Sequence, residues 1–278
     1  MDFTINQYIQ LLSSWQAAGF SFQTYKEFCE KAHQTNFLIL RHDVDKLPQN
    51  SLHFARIQAE KGIKGTYYFR MHKHSYHEDI IKQISDLVHE IGYHYETMDS
   101  ASTRFKVKSK KIKAGKDNAE YEKLIDLAYE EFCKNLEQFR RIAEIKTISM
   151  HGSPMSPYDN RAIWKKYNYK KLGILAEPYF DLDFNKIFYI TDTGRCWDGH
   201  LFNVRDKATK ENPVTNEEFL KLRFHSTSEI VKAVAEGRFP KQAMLNFHPQ
   251  RWNDSPYLWT KELVLQNLKN QVKRFFVK

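Results

Sequence analysis

The apolar residues of this chain switch repeatedly between helical and strand spacing. Across residues 4–18, Ile5, Tyr8, Ile9, Leu12 and Trp15 recur every three or four positions, which predicts an amphipathic helix that Gly19 stops. Residues 22–32 read as a second short helix with Tyr25, Phe28 and Cys29 inward. The run 37–40 is apolar at every position, as in a short buried strand. Pro48 and Asn50 break the chain, and a helix is predicted from there to Glu60, with Gly62 after it. Residues 65–70 are aromatic and β-rich, a second strand. Residues 78–90 return to helical spacing through Ile81, Ile84, Leu87 and Val88, and 91–96 is a third strand.

The alternation persists to the end. Residues 118–141 predict a long helix with Leu124, Leu127, Phe132, Leu136 and Phe139 inward. Strands are expected at 146–150, 172–176, 187–190 and 243–247, with helices at 160–167, 229–235 and 261–275. Such alternation implies a mostly parallel sheet. Ionisable residues gather where the strands end: Asp43 and Asp45, His94 and Glu96, His151, Asp192 and Arg195, and His248. In a barrel of parallel strands that end is where sites are built. An open doubly wound sheet also puts its site at strand ends, but no Gly-rich phosphate loop follows the first strand here. The pattern therefore favours an α/β chain folded as a distorted or incomplete (β/α) barrel. Residues 1–36 form an N-terminal helical cap in this reading, and 37–278 the barrel.

Composition narrows the class. The chain has 278 residues, 41% of them hydrophobic and 28% charged, ordinary values for a globular protein able to bury a core. It holds no apolar run of the ~20 residues that a membrane span needs. Its start lacks the basic and apolar segments of a signal peptide, and Cys29, Cys133 and Cys196 are too scattered for a disulfide framework or a metal knot. A reduced, cytoplasmic protein is expected. The formal charge of +9 suggests acidic partners, but much of it sits in the run 104–116, which contains no acid. That run reads as a solvated loop inserted in the barrel, able to steer a phosphate-bearing substrate; no nucleic-acid partner is expected.

Chemistry enters at the strand ends. Asp43 and Asp45, one residue apart, point the same way because side chains alternate along a strand. Two carboxylates that close persist where a cation or a shared proton relieves their repulsion. Carboxylate and imidazole groups converging on one site suit a divalent Zn, Fe, Co or Mn ion, and a further Asp and His suit a general base and a general acid. The order of these motifs resembles the polysaccharide deacetylase superfamily (the NodB-homology fold) from about Leu38 to Trp252. Arg41-His42-Asp43-Val44-Asp45 is similar to its first motif. His89-Glu90-Ile91-Gly92-Tyr93-His94 resembles its H-E-I-G-x-H segment, Gly65-Thr66-Tyr67-Tyr68-Phe69 its second strand, and Met244-Leu245-Asn246-Phe247-His248-Pro249 its late motif.

The resemblance implies a distorted (β/α)7 barrel and one divalent transition metal, zinc first. It implies Asp43 as base, Asp45 and His94 as metal ligands, and His248 as general acid. The family's second metal His falls on Met98 here, so His151 at the next strand end, or else Glu96, is expected to replace it. His151-Gly152-Ser153-Pro154 stands where the family has an arginine-proline motif, which leaves Arg195 or Arg251 to orient the base. Asp192, Trp197 and Trp252 join these as substrate-binding or orienting candidates, the two tryptophans as stacking platforms for sugar. The implied activity is metal-dependent removal of an N-acetyl, less readily an O-acetyl, group from a carbohydrate in envelope polysaccharide biosynthesis, the substrate nucleotide-linked or lipid-linked. Two other readings stay open. One is hydrolysis of a non-sugar, non-peptide C–N bond without metal, which the loss of the second metal His favours. The other is a catalytically silent barrel that binds glycans or polyanions, which the positive charge favours.

Overall fold

The computed structural model describes residues 1–31, 35–105, 119–152, 156–197 and 214–276. Seven parallel strands form one sheet: β1 (Ser21–Gln23), β2 (Phe37–Val44), β3 (Thr66–Phe69), β4 (Glu90–Tyr95), β5 (Ile145–Met150), β6 (Phe188–Thr191) and β7 (Gln242–Phe247). The order across the sheet is β5-β4-β3-β2-β7-β6, and β1 lies along the first residues of β2, ahead of the stretch that pairs with β3. All eight residues of β2 are buried, as expected of a strand covered on both faces. Its even positions Leu38, Leu40 and Val44 pack outward, each contributing about 1.5–3 kcal/mol by burial. Its odd positions Phe37 and Ile39 pack inward with Tyr25, Ala176, Leu182, Phe184, Tyr189 and Met244.

Helices cover the outer face. These include α1 (Ile5–Ala17), α3 (Pro48–Glu60), α4 (Glu78–Asp86), α5 (Thr97–Arg104) and α6 (Ala119–Arg140), whereas α2 (Tyr25–Glu30) sends Tyr25 into the inner cluster. Thr4 caps α1 by accepting from Gln7 N, and Thr24 with Glu27 forms a capping box on α2. The sheet curls around the inner cluster but does not close, since no ladder joins β5 to β6 among the described residues. A single bridge, Thr147 to Ala176, begins to fill the gap. This is an incomplete (β/α) barrel of seven strands. No helix among the described residues is long and apolar enough to cross a membrane.

Several expectations need correction. The strand expected at 172–176 is only that one bridge, because Tyr169–Leu172 is a 3-10 turn and Gly173 takes φ +71°. The helix expected at 22–32 is split: residues 21–23 pair with the start of β2 and the helix starts at Tyr25. The helix expected to reach Glu90 stops at Asp86, and Val88 is exposed with φ +66° rather than inward. The helix α5 and the short helix Glu217–Lys221 carry no clear periodicity and were not expected. The basic run from Lys106 to Lys116, and Ser153 and Pro154 beside His151, lie outside the described residues.

Candidate active site at the barrel mouth

Strand parity carries the site. The inward series that starts at Phe37 and Ile39 continues through Arg41 and Asp43, and Asp45 follows just beyond β2. On β4 the inward series is Glu90, Gly92, His94, then Glu96. Gly92 is required there, because a Cβ would lie 2.3 Å from the Tyr68 ring. His151 caps β5, its N–H donating to Tyr95 O at 2.8 Å, and Asn160 Nδ2 donates to His151 O at 3.0 Å. The result is one cluster: Asp45, His94 and His151 each offer a ligand atom within 4.8 Å of the others.

Both imidazoles present Nε2 to Asp45. His94 Nδ1 lies 2.9 Å from Ser149 O and donates to it, which leaves the Nε2 lone pair facing Asp43 Oδ2 at 3.6 Å and Asp45 Oδ1 at 4.0 Å. His151 Nε2 is 3.6 Å from Asp45 Oδ1. Its Nδ1 lies 2.9 Å from Glu96 Oε2, off the line of a good hydrogen bond. Glu96 thus stands behind His151 rather than in its place, and Arg70 clamps it with Nη2 to Oε2 at 2.6 Å and Nε to Oε1 at 3.1 Å. Burial pushes the Glu96 carboxyl up, but His151 and Arg70 bring it down to about 2. Burial is also the main reason His94 falls to about 4, so its imidazole is neutral and able to ligate. Asp45 Oδ1 is buried with no hydrogen-bond partner, and its carboxyl is held below the usual range by His151, His248 and His94 against the pull of burial. A buried carboxylate oxygen left open between two imidazole nitrogens fits a divalent cation.

Asp43 is built differently. Its carboxylate is gripped in bidentate fashion by Arg41, Nε to Oδ1 at 2.8 Å and Nη2 to Oδ2 at 2.9 Å, and Asn246 Nδ2 donates to Oδ2 at 2.9 Å. Arg41 lies inside the barrel, 1% exposed, with its guanidinium 5.3 Å from the Tyr68 ring centroid and 5.8 Å from that of Tyr179. Burial alone would raise the Asp43 pKa. The Arg41 charge, helped by His94 and His248, reverses that and holds the carboxyl far below its ordinary range.

Across the mouth, His248 Nδ1 lies 2.5 Å from Asp192 Oδ1, and its backbone N–H donates to Asp192 Oδ2 at 2.9 Å. Its Nε2 faces inward, 4.0 Å from Asp45 Oδ2. Fully buried Asp192 also accepts from Trp252 Nε1 at 2.7 Å and from Arg251 Nη1 at 3.2 Å. Burial pushes Asp192 up, and the His248 and Arg251 contacts hold it net low.

The structure therefore brings Asp43, Asp45, His94, His151 and His248 together, with Glu96, Asp192, Arg251 and Trp252 behind them. It does not bring Arg195 there: Arg195 Nη1 donates to Trp259 O at 2.8 Å, and its guanidinium lies over the Trp259 ring. Neither Arg195 nor Arg251 touches Asp43; that role falls to Arg41. Trp197 and Trp252 offer no ring face to a sugar, because both are fully buried against each other, Phe3 and Phe247. Met98 is core. Sequence reasoning overlooked Arg41 as a partner for Asp43 and overlooked Asn246. The signal was present, since Arg41 shares the parity of Asp43 and Asn246 that of His248.

No family model and no curated protein matches this chain. A similar solved structure is described as a mutant of a CE4 family pseudoenzyme with restored enzymatic activity, at 9% identity and a TM-score of 0.42. The match covers 86% of this chain and 64% of that one, so the chain spans less than two thirds of its length.

Proposed function

We propose that this chain is a metal-dependent hydrolase that removes an N-acetyl group from a carbohydrate, on the polysaccharide deacetylase pattern. The observation that carries the reading is the division of labour at the mouth. Three groups leave open ligand atoms around one point, while the flanking Asp43 and His248 are each locked from behind. Asp45, His94 and His151 would hold the cation. A divalent ion bound there lowers the pKa of water and polarises a carbonyl oxygen, which allows amide hydrolysis near neutral pH.

The remaining chemistry belongs to the side chains. Asp43, kept ionised by Arg41, takes the proton from the water that attacks the acetyl carbon. His248, in its charged form, gives the Nε2 proton to the departing amine as the C–N bond breaks, and Asp192 stabilises the imidazolium that does so. Arg41 and Asn246 fix the carboxylate so that no reorientation precedes proton transfer.

The test is elemental analysis of purified wild type and of His94→Ala, paired with turnover of N-acetylated oligosaccharides. About one transition metal per chain in wild type, lost in the variant together with acetate release, is the expected result. A metal-free protein that still releases acetate would overturn it.

A further inference from the structure

Beside Asp45 the mouth opens into a cleft of about 610 Å³. Its wall is the turn after β3, Arg70-Met71-His72-Lys73-His74-Ser75-Tyr76-His77, facing Lys46 and the C-terminal helix Pro256–Phe276. Five lysine and arginine side chains line it (Lys46, Arg70, Lys73, Arg251 and Lys269), against two carboxylates, Asp45 and Glu262. Three of the cations already have partners: Lys46 on Glu262 at 3.1 Å, Arg70 on Glu96, and Arg251 on Asp192. Lys73 and Lys269 make no ion pair among the described residues, and both are exposed. His72 and His74, with ring centroids 5.0 Å apart, add donors on the same wall.

This wall is anchored. Buried Ser75 donates to Val44 O, one residue from Asp43, and accepts from Arg70 N at 2.9 Å. Tyr76 N closes the turn on His72 O at 2.8 Å. The cationic turn is therefore tied to the same strand that carries the proposed base, so an anion in the cleft would be held in fixed relation to the reacting centre.

Building on the deacetylase reading, we propose that this cleft is a phosphate subsite, and that the substrate is an N-acetyl sugar carrying a phosphate or diphosphate ester. Lysine ammoniums behave as rotatable point charges, suited to an anion of charge near −2. The acetamide would sit at Asp45, His94 and His151, and the phosphate oxygens between Lys73, Lys269 and the histidines of the turn.

Binding of inorganic pyrophosphate to chelator-treated protein, measured by calorimetry at low salt, tests the subsite without requiring turnover. Wild type should bind, and the Lys73→Ala/Lys269→Ala double variant should bind on the order of tenfold more weakly. A control, Lys186→Ala, whose lysine lines a different cleft beside Glu218 and Arg238, should bind as wild type does. No binding by wild type, or equal loss in the control, would overturn the subsite even if acetate release from neutral sugars were found. Binding as expected with no acetate release from any sugar would instead sink the deacetylase reading and keep the anion site. With metal restored, a uridine-diphosphate and a polyprenyl-diphosphate N-acetylhexosamine separate the two sources of the phosphate. At least one should be turned over with kcat/KM above that of the neutral sugar, an advantage the double variant loses. An N-acetyl sugar bearing a carboxylate in place of phosphate, if preferred to both, would overturn the proposal.

Discussion

His42 on β2 and His94 on β4 sit on buried strands flanking β3 and look alike by every bulk measure. They are 0% and 3% exposed, and burial brings them down to about 3 and about 4. His42 faces outward beneath α1 and α3. Its Nδ1 is 3.1 Å from Thr66 O, its Nε2 is 3.3 Å from Tyr8 OH and 3.2 Å from Gln58 Nε2, and its ring stacks on Tyr67 at 4.1 Å. His94 faces inward, and only its Nδ1 has a hydrogen-bond partner; Nε2 looks at Asp43 and Asp45. Burial and a lowered pKa therefore do not mark a functional histidine. What marks it is a second nitrogen left over after the scaffold has used the first. By the same measure, the surroundings of His42 are a finished hydrogen-bond network and the inner face at the mouth is an unfinished one.

The largest effect expected from breaking the inner side is on rate. Asp43→Asn should lower kcat by on the order of 10²–10⁴-fold with the metal content of wild type, read by steady-state kinetics and elemental analysis. Unchanged kcat would remove Asp43 from the role of base. Next, Arg41→Met leaves the Asp43 carboxylate buried without its cation and should destabilise the protein by about 3–5 kcal/mol in denaturant titration.

The pH dependence of that loss follows from the sign of the shift. A carboxyl held low in the folded state stabilises it above the ordinary carboxylate range, and that contribution fades as pH falls below about 4. The gap between wild type and Arg41→Met should therefore be widest near neutral pH and narrow in acid. In any Arg41→Met protein that still turns over, the acid limb of kcat/KM should move to higher pH, because the charge that depresses Asp43 is gone. A limb that stays in place would separate Arg41 from the chemistry.

The outer side is sharpened by His42→Ala. It should cost about 2–3 kcal/mol by stranding the buried partners Gln58, Tyr8 and Thr66 O, while the protein retains its metal. Loss of metal there would erase the contrast between the two histidines. The smallest effect is expected for Trp197→Phe, which loses one hydrogen bond to Thr227 and some packing, about 1–2 kcal/mol, with KM for substrate unchanged. A raised KM would restore Trp197 as a substrate contact.

Much of this was legible in the chain and some was not, for reasons visible at particular residues. Strand alternation puts Asp43 and Asp45 on one side, and the strand-to-helix rhythm points to an incomplete parallel barrel. The stretch 172–176 looked like another strand because it is short and apolar, a pattern that also fits a buried turn. Trp197 and Trp252 looked like platforms because sequence does not report which aromatic rings are covered. The difference between His42 and His94 was equally hidden, since it depends on partners 16 to 55 positions away.

Which side chains can share a face is written in the local pattern of the chain. The two-residue period of a strand is a local steric property, so Arg41, Asp43 and Asp45 were aligned wherever the strand lay. Which groups from other strands reach that face depends on how the barrel packs. The curl of the sheet set His94 and His151 beside Asp45 and delivered Asp192 to His248. Those meetings are contacts between distant segments, fixed by the packing of the barrel and by no local rule.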